Sequence, residues 1–229
     1  MTSTYPITDG TWSRDQQDKV YLPQEDSRLL VDTMERTAVI TGRRVLDLCT
    51  GSGFVAIAAA ELGCASVTAF DICPHAVRNS RSNAAVAGVD VDVRRGSWIA
   101  ALNCTPFDVV VSNPPYVPTP PDEYLETPGP SWAWNAGTDG RLILDPLCES
   151  AAKLLRDNGT MLLVQSAFAG VQESLDALRA GGLDAEVIAT QWIPFGPVLS
   201  ARAEWLEETG RLARGCREEE LVVIRADKP

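Results

Sequence analysis

Two short stretches carry residue types and spacings suited to chemistry. In VLDLCTGSGFVAI (45–57) an apolar run leads into a loop holding Gly51 and Gly53, and the loop opens directly into a helix-forming run. Glycines there permit a tight turn and let a ligand approach the backbone, as an adenosine-containing cofactor requires. Asp71 follows Gly51 by twenty residues, at the end of the next apolar run. A carboxylate at that place can accept both hydroxyls of a ribose. An ordinary βα turn, with the Asp capping the next helix, is the alternative. The second stretch is Asn113-Pro114-Pro115-Tyr116. Two prolines stiffen the backbone and remove two N–H donors, leaving the Asn113 side-chain oxygen and the Pro114 carbonyl as fixed acceptors. An amide or aromatic amine nitrogen is a poor nucleophile because its lone pair is delocalised. Two acceptors that hold its N–H groups can aim that lone pair by positioning and electrostatics, with no strong base.

The surrounding elements must bring both stretches to one place. Short β-rich runs alternate with helical patterns, which predicts a doubly wound α/β sheet. Strands are expected at Arg44–Cys49, Ser66–Asp71, Val89–Arg94, Phe107–Ser112, 159–166, near 184–191 and at 220–225. Helices are expected at 54–62, from Pro74 to a cap at Gly88, over Arg141–Asp157 and near 168–180. Ser27–Arg36 reads as an amphipathic helix with Asp26 or Ser27 near its cap. The expected organisation is an N-terminal extension and helix at 1–40 and one catalytic domain at 41–229. Open α/β sheets bind ligands at the carboxyl ends of their strands, which puts the glycine loop and Asn113–Tyr116 on one rim.

Composition narrows the function classes. With 20 Lys+Arg against 31 Asp+Glu, the formal charge is −11. A net negative surface repels phosphate backbones, which argues against a nucleic-acid substrate. One histidine, His75, disfavours a His-rich metal site, and no metal is expected; beside Pro74 it reads as structural. The six cysteines form no C-x-x-C pair and read as reduced thiols. The polar start lacks an apolar signal core, and the longest apolar stretch, Phe54–Ala60, is far too short to span a membrane. A soluble cytoplasmic protein is expected.

D-L-x-T-G-S-G resembles the first motif of class I S-adenosylmethionine (SAM) methyltransferases. That resemblance implies a Rossmann-like fold, a seven-stranded mostly parallel sheet with helices on both faces. It implies SAM as methyl donor and S-adenosylhomocysteine as product. Asp47 would sit near the cofactor amino group, Thr50 and Gly51 against the methionine moiety, Asp71 on the ribose and Ile72 beside the adenine, with Cys49 and Gly53 also in the cofactor-binding loop. Asn113 and Pro114 would hold the acceptor nitrogen against the sulfonium methyl, with Tyr116 packed beside the target to exclude water.

More of the chain is similar to the HemK-type protein-glutamine N5-methyltransferases: VYLPQEDSRLL (20–30), VLDLCTGSG (45–53), GSW (96–98), NPPYVPTPP (113–121) and AWNAGTDGR (133–141). The likeness is greatest to the short branch of eukaryotic and archaeal release-factor methyltransferases. It implies methylation of the glutamine of a Gly-Gly-Gln motif in a translation release factor, with Tyr21 and Ser27 lining the cofactor pocket. Some relatives work with a small zinc-binding activator subunit. The other readings are a small-molecule or peptide N-methyltransferase and, more remotely, a nucleic-acid N6-adenine methyltransferase.

This sequence departs from the family in three places. Ser97-Trp98 stands where an Asp precedes the aromatic residue, on the adenine side. Cys49 replaces a frequent Gly. The stretch 193–216 is long, and is expected to be either a substrate lid or helical hairpin, or a solvated surface helix with i,i+4 charge pairs. Trp132 and Trp134 are candidates for an acceptor wall or loop anchors, and Trp192 and Trp205 for packing the 193–216 segment.

Overall fold

Runs such as RVLDL and FDVVVS are apolar on both sides of the pleat, which suits strands in the middle of a parallel sheet and no exposed edge. In the computed structural model, which describes residues 23–126 and 130–229, they are central. Seven strands form one sheet: β1 (Arg44–Leu48), β2 (Ser66–Asp71), β3 (Asp92–Arg95), β4 (Phe107–Ser112), β5 (Leu155–Ser166), β6 (Asp184–Pro194) and β7 (Glu218–Asp227). Their order is β3-β2-β1-β4-β5-β7-β6. β3, β2, β1, β4 and β5 pair in parallel, and β7 runs antiparallel between β5 and β6. All six residues of β4 are buried.

Strand order reverses between β1 and β4, so right-handed crossovers send the helices before and after that point to opposite faces. α1 (Glu25–Thr37), α2 (Phe54–Glu61) and α3 (Pro74–Ala87) pack on one another; α4 (Trp98–Ala101), α6 (Leu144–Leu154) and α7 (Val171–Ala180) form the second set. A short α5 (Pro121–Glu126) follows β4, and α8 (Pro197–Glu208) lies between β6 and β7. α3 starts on Pro74 and ends on left-handed Gly88, as expected. Leu30, Met34, Leu46, Val110 and Leu162 are fully buried in one continuous core that joins α1 to the sheet.

Several boundaries differ from expectation, each for a tertiary reason. α1 begins at Glu25 with Gln24 as its cap, and no side chain caps it. Asp26 and Ser27 are turned instead toward partners some ninety residues away, described below. β3 begins at Asp92 rather than Val89, because its pairing with β2 starts at Thr68. α6 ends at Leu154 and β5 starts at once, its register against β4 shifting between Phe107 and Val109. β6 and β7 are longer than their apolar runs, since each pairs with the other from Asp184–Asp227 to Pro194–Glu218.

The 193–216 segment is neither a helical hairpin nor a solvated helix. It continues β6 to Pro194 and then forms the single helix α8. Leu199, Ala203, Leu206 and Leu212 make a second apolar cluster, joined by Val117, Phe168, Phe195 and Trp205. Arg202 is buried within this packing. Trp205 packs the segment as expected, but Trp192 is 61% exposed on β6. No helix of the described residues is long and apolar enough to cross a membrane, and none of them cluster as metal ligands.

Candidate active site

β1 and β4 are neighbours, with Leu48 opposite Ser112. Their carboxyl ends therefore deliver the glycine loop and Asn113 side by side. Ser112 ties the two together by donating its hydroxyl to the Leu48 carbonyl at 2.9 Å. A cavity of about 440 Å³ opens there. Its wall includes Ser27, Asp47, Cys49, Thr50, Gly51, Asp71, Ile72, Ser97, Trp98 and Asn113. Ten of the residues singled out from the sequence thus meet in one place.

The loop is held from three sides. Thr50 donates its hydroxyl to Asp47 Oδ2 at 2.6 Å, and the Gly51 N–H donates to Asp71 Oδ2 at 2.9 Å. Asn83 of α3 donates to the Ser52 carbonyl at 2.7 Å. Cys49 adopts φ +62°, the left-handed region that favours glycine, which explains the frequent Gly of related loops and leaves strain on this Cys. Gly53 caps α2 at φ +86°, and a Cβ there would lie 2.4 Å from the Ser80 hydroxyl. It is packed under the loop and off the cavity wall.

The two carboxylates differ in their surroundings. Burial pushes the Asp47 carboxyl up to about 7, against the Thr50 hydrogen bond and with help from the nearby Asp71 charge. Asp71 is also raised by burial, opposed by the N–H groups of Cys73 (2.8 Å, to Oδ1) and Gly51. Burial likewise raises the Cys49 thiol, so it stays protonated and is no nucleophile. A cationic amino group beside Asp47 would relieve its desolvation, and a diol beside Asp71 would find one engaged but still accepting carboxylate. Apolar walls from Phe70, Ile72 and Trp98 complete a place for a flat base. The donor set fits SAM.

Asn113 donates through Nδ2 to Ser27 Oγ at 3.1 Å. With its nitrogen on Ser27, the amide oxygen has no hydrogen-bond partner among the described residues. Tyr116, expected beside the acceptor, is not on the cavity wall. It is buried and donates its hydroxyl to Asp26 Oδ2 at 2.9 Å, so its ring anchors the loop to α1 instead. Pro114 is also off the cavity wall, while Pro115 is on it. Tyr21 lies outside the described residues. His75, half-buried, meets the Arg78 guanidinium at 2.8 Å, away from the cavity wall.

Sequence reading offered Trp132 and Trp134 as candidates for the far wall and missed most of its other residues. Ser131, Trp132, Ala133 and Asn135, with Leu142, Ile143 and Leu147 of the α6 region, line the cavity. Trp132 is 71% exposed at that wall, whereas Trp134 is half-buried off it. The segment is positioned by backbone pairing with the Asn113–Tyr116 loop: Val117 donates to the Trp134 carbonyl at 2.8 Å and accepts from Ala136 at 3.1 Å. The Trp132/Trp134 pair and the Asn-Ala-Gly-Thr-Asp-Gly pattern were its signals in the sequence.

The sequence comparisons agree with this geometry. Residues 8–122 match the family model described as "Methyltransferase small domain". A Methanocaldococcus jannaschii protein named for protein N5-glutamine methyltransfer is 31% identical over 185 residues, 81% of this chain and 91% of that protein. A release factor glutamine methyltransferase of Deinococcus radiodurans is 35% identical over 180 residues, and the chain spans only 60% of its length. Among solved structures, the E. cuniculi Mtq2–Trm112 complex, responsible for methylation of the eRF1 translation termination factor, aligns over 92% of this chain and 99% of its own at TM-score 0.61 and 21% identity. The ribosomal protein L11 methylase of Lactobacillus delbrueckii subsp. bulgaricus aligns over 92% and 82%, at TM-score 0.59 and 20% identity. At such identities the structures speak for the fold alone, a class I methyltransferase sheet. Taken with the cavity and its motifs, the sequence relatives place the chain in the HemK-type methyltransferase family, as a SAM-dependent methyltransferase.

Proposed function

We propose that this chain methylates the side-chain amide of a protein glutamine, with the Gly-Gly-Gln of a translation release factor as its acceptor. Asn113 carries the reading: Ser27 engages its Nδ2, so its Oδ1 is an acceptor held at the cavity wall beside the glycine loop. An amide N–H donated to that oxygen orients the nitrogen lone pair; the second acceptor expected from the sequence, the Pro114 carbonyl, belongs to a residue off the cavity wall. When bound, SAM supplies an electrophilic methyl on a sulfonium. Asp47 would hold its amino group, Thr50 and Gly51 the methionine portion, and Asp71 the ribose. Ile72, Ser97 and Trp98 would line the adenine. No residue here needs to act as a strong base: the S–CH3 bond breaks as the N–CH3 bond forms, the positive charge passes from sulfur to the amide nitrogen, and that strongly acidic nitrogen then gives up one proton to water. The names of the archaeal and bacterial relatives support the choice of glutamine.

Catalysis then belongs to one domain from residue 41, with Pro23 and Ser27 before it contributing to the cavity wall, in the cytoplasm where release factors act. The small zinc-binding activator that the family resemblance implies belongs to the assay, because Mtq2 is found in complex with Trm112 and because β3 is an edge strand with one neighbour. The test is transfer of labelled methyl from SAM to a purified release factor, with and without such a subunit, followed by mass spectrometry of the Gly-Gly-Gln peptide. A methyl on that glutamine, lost in Asn113→Ala, is the expected result. SAM binding with no modified glutamine under either condition would overturn the acceptor and turn attention to small molecules.

A further inference from the structure

Arg202 of α8 is 5% exposed, an unusual place for a guanidinium on a helix at the periphery of the sheet. Its buried charge is compensated by four partners from three segments. Nε and Nη2 reach Glu123 Oε2 at 2.9 and 2.8 Å. Nη1 donates to the Pro118 carbonyl at 3.1 Å and to Thr119 Oγ1 at 3.4 Å. Nη2 also donates to Asn135 Oδ1 at 2.7 Å. One side chain thus ties α8 to the stretch after Tyr116 and to the far wall of the cavity.

The consequence falls on Asn135. Its oxygen is committed to Arg202, which settles the orientation of its amide, and its Nδ2 has no hydrogen-bond partner among the described residues. Asn135 lines the same cavity as Asn113. On the wall of that cavity the two asparagines are set in opposite senses: Asn113 has its nitrogen taken by Ser27 and offers an oxygen, and Asn135 has its oxygen taken by Arg202 and offers an NH2. A primary carboxamide is the matching group, with N–H donors at one end and a carbonyl acceptor at the other. An amine or a hydroxyl has no carbonyl for the second contact.

Resting on the glutamine reading above, we propose that Asn135 binds the carbonyl oxygen of the acceptor amide and that Arg202 is the positioning residue that holds it ready. Substrates lacking that oxygen are then selected against, because a site built to hydrogen-bond one group rejects analogues that leave its own group unpaired.

Asn135→Asp separates recognition from structure. A carboxylate keeps the partner for Arg202 and strengthens it by charge, but it has no N–H to donate and repels a carbonyl oxygen. In methyl-transfer kinetics on a release factor, Asn135→Asp is expected to raise the acceptor KM at least tenfold. Its SAM Kd and Tm should remain those of the wild type. Asn135→Ala should give the same KM direction, and Arg202→Met should do so with a fall in Tm. If Asn135→Asp shows wild-type acceptor KM while the wild type methylates the glutamine, the inference is overturned and the function stands. A wild type inactive on the release factor overturns both.

Discussion

Ser27 and Asn113 are 86 residues apart in sequence and joined by a single hydrogen bond, from Asn113 Nδ2 to Ser27 Oγ. The adjacent residue Asp26 takes the Tyr116 hydroxyl. Two consecutive residues of α1 therefore grip both ends of the Asn-Pro-Pro-Tyr tetrapeptide, the first and the fourth side chain, while the prolines stiffen what lies between.

Loss of that bond frees the Asn113 amide to turn. Ser27→Ala is expected to lower kcat about three- to tenfold, the scale of one neutral hydrogen bond. Ser27→Thr, which keeps the hydroxyl, should retain most of it. Steady-state kinetics at saturating SAM checks both. A changed SAM Kd with unchanged kcat would show instead that Ser27 acts on the cofactor.

Asp71 arrives at the cavity with both oxygens already oriented by backbone N–H groups of Gly51 and Cys73. Asp71→Ala removes a charge-assisted acceptor for the ribose and frees the Gly51 amide. SAM affinity should drop by about ten- to a hundredfold, since hydrogen bonds to charged groups contribute ~1.5–3 kcal/mol. Titration calorimetry reads this directly, and an unchanged Kd would remove Asp71 from the cofactor site.

Asp47 predicts a pH dependence of definite sign. Its carboxyl sits at about 7 in the folded chain against an ordinary value of 3.8. A raised folded-state value means that its contribution to stability is present at low pH and is lost as pH rises from about 4 through 7. The Tm of the wild type relative to Asp47→Asn should thus fall across that window. SAM affinity should move oppositely. It rises between pH 6 and 7.5 as the carboxylate forms, then levels off as the cofactor's own α-amino group loses its proton near ~8. Asp47→Asn should bind weakly with a flat profile over that lower range.

Gly140 adopts φ +78°, and a Cβ on it would lie 2.4 Å from the Tyr116 carbonyl. Gly140→Ala must push the loop that carries Asn113. A loss of about 1–3 kcal/mol is expected from the backbone strain, seen as a lower Tm. kcat/KM should fall further than the loss of folded protein explains. A variant with normal turnover per folded molecule would show that the loop tolerates the shift.

The parts of the site legible in the sequence are those whose meaning is local. The glycine loop, Asp71 and Asn113–Tyr116 each follow a strand, and strand runs such as FDVVVS were readable with their ends intact. What escaped depends on partners far along the chain. Asp26 and Ser27 looked like helix caps because their true partners lie 90 and 86 residues on. Arg202 sits among Glu and Arg at helical spacing, a pattern that reads as a wet surface. Only the fold shows Glu123, Thr119 and Asn135 converging on it. Tyr116 was assigned to the acceptor because the motif is read as a unit, yet its hydroxyl faces α1.

The place of β7 has a consequence for biogenesis. β6 is made before β7, yet β7 is its neighbour in the sheet and also separates it from β5. A nascent chain that has emerged only as far as α8 thus carries the largely apolar β5 with one edge unpaired and β6 with neither edge paired. That is the condition in which strands recruit other chains. Ribosome stalling or proteolysis between residues 195 and 217 would then yield an aggregation-prone fragment rather than a smaller enzyme. For such an intermediate, a chaperone that shields β5 and β6 until β7 is made would matter more than one that assists the glycine-loop half.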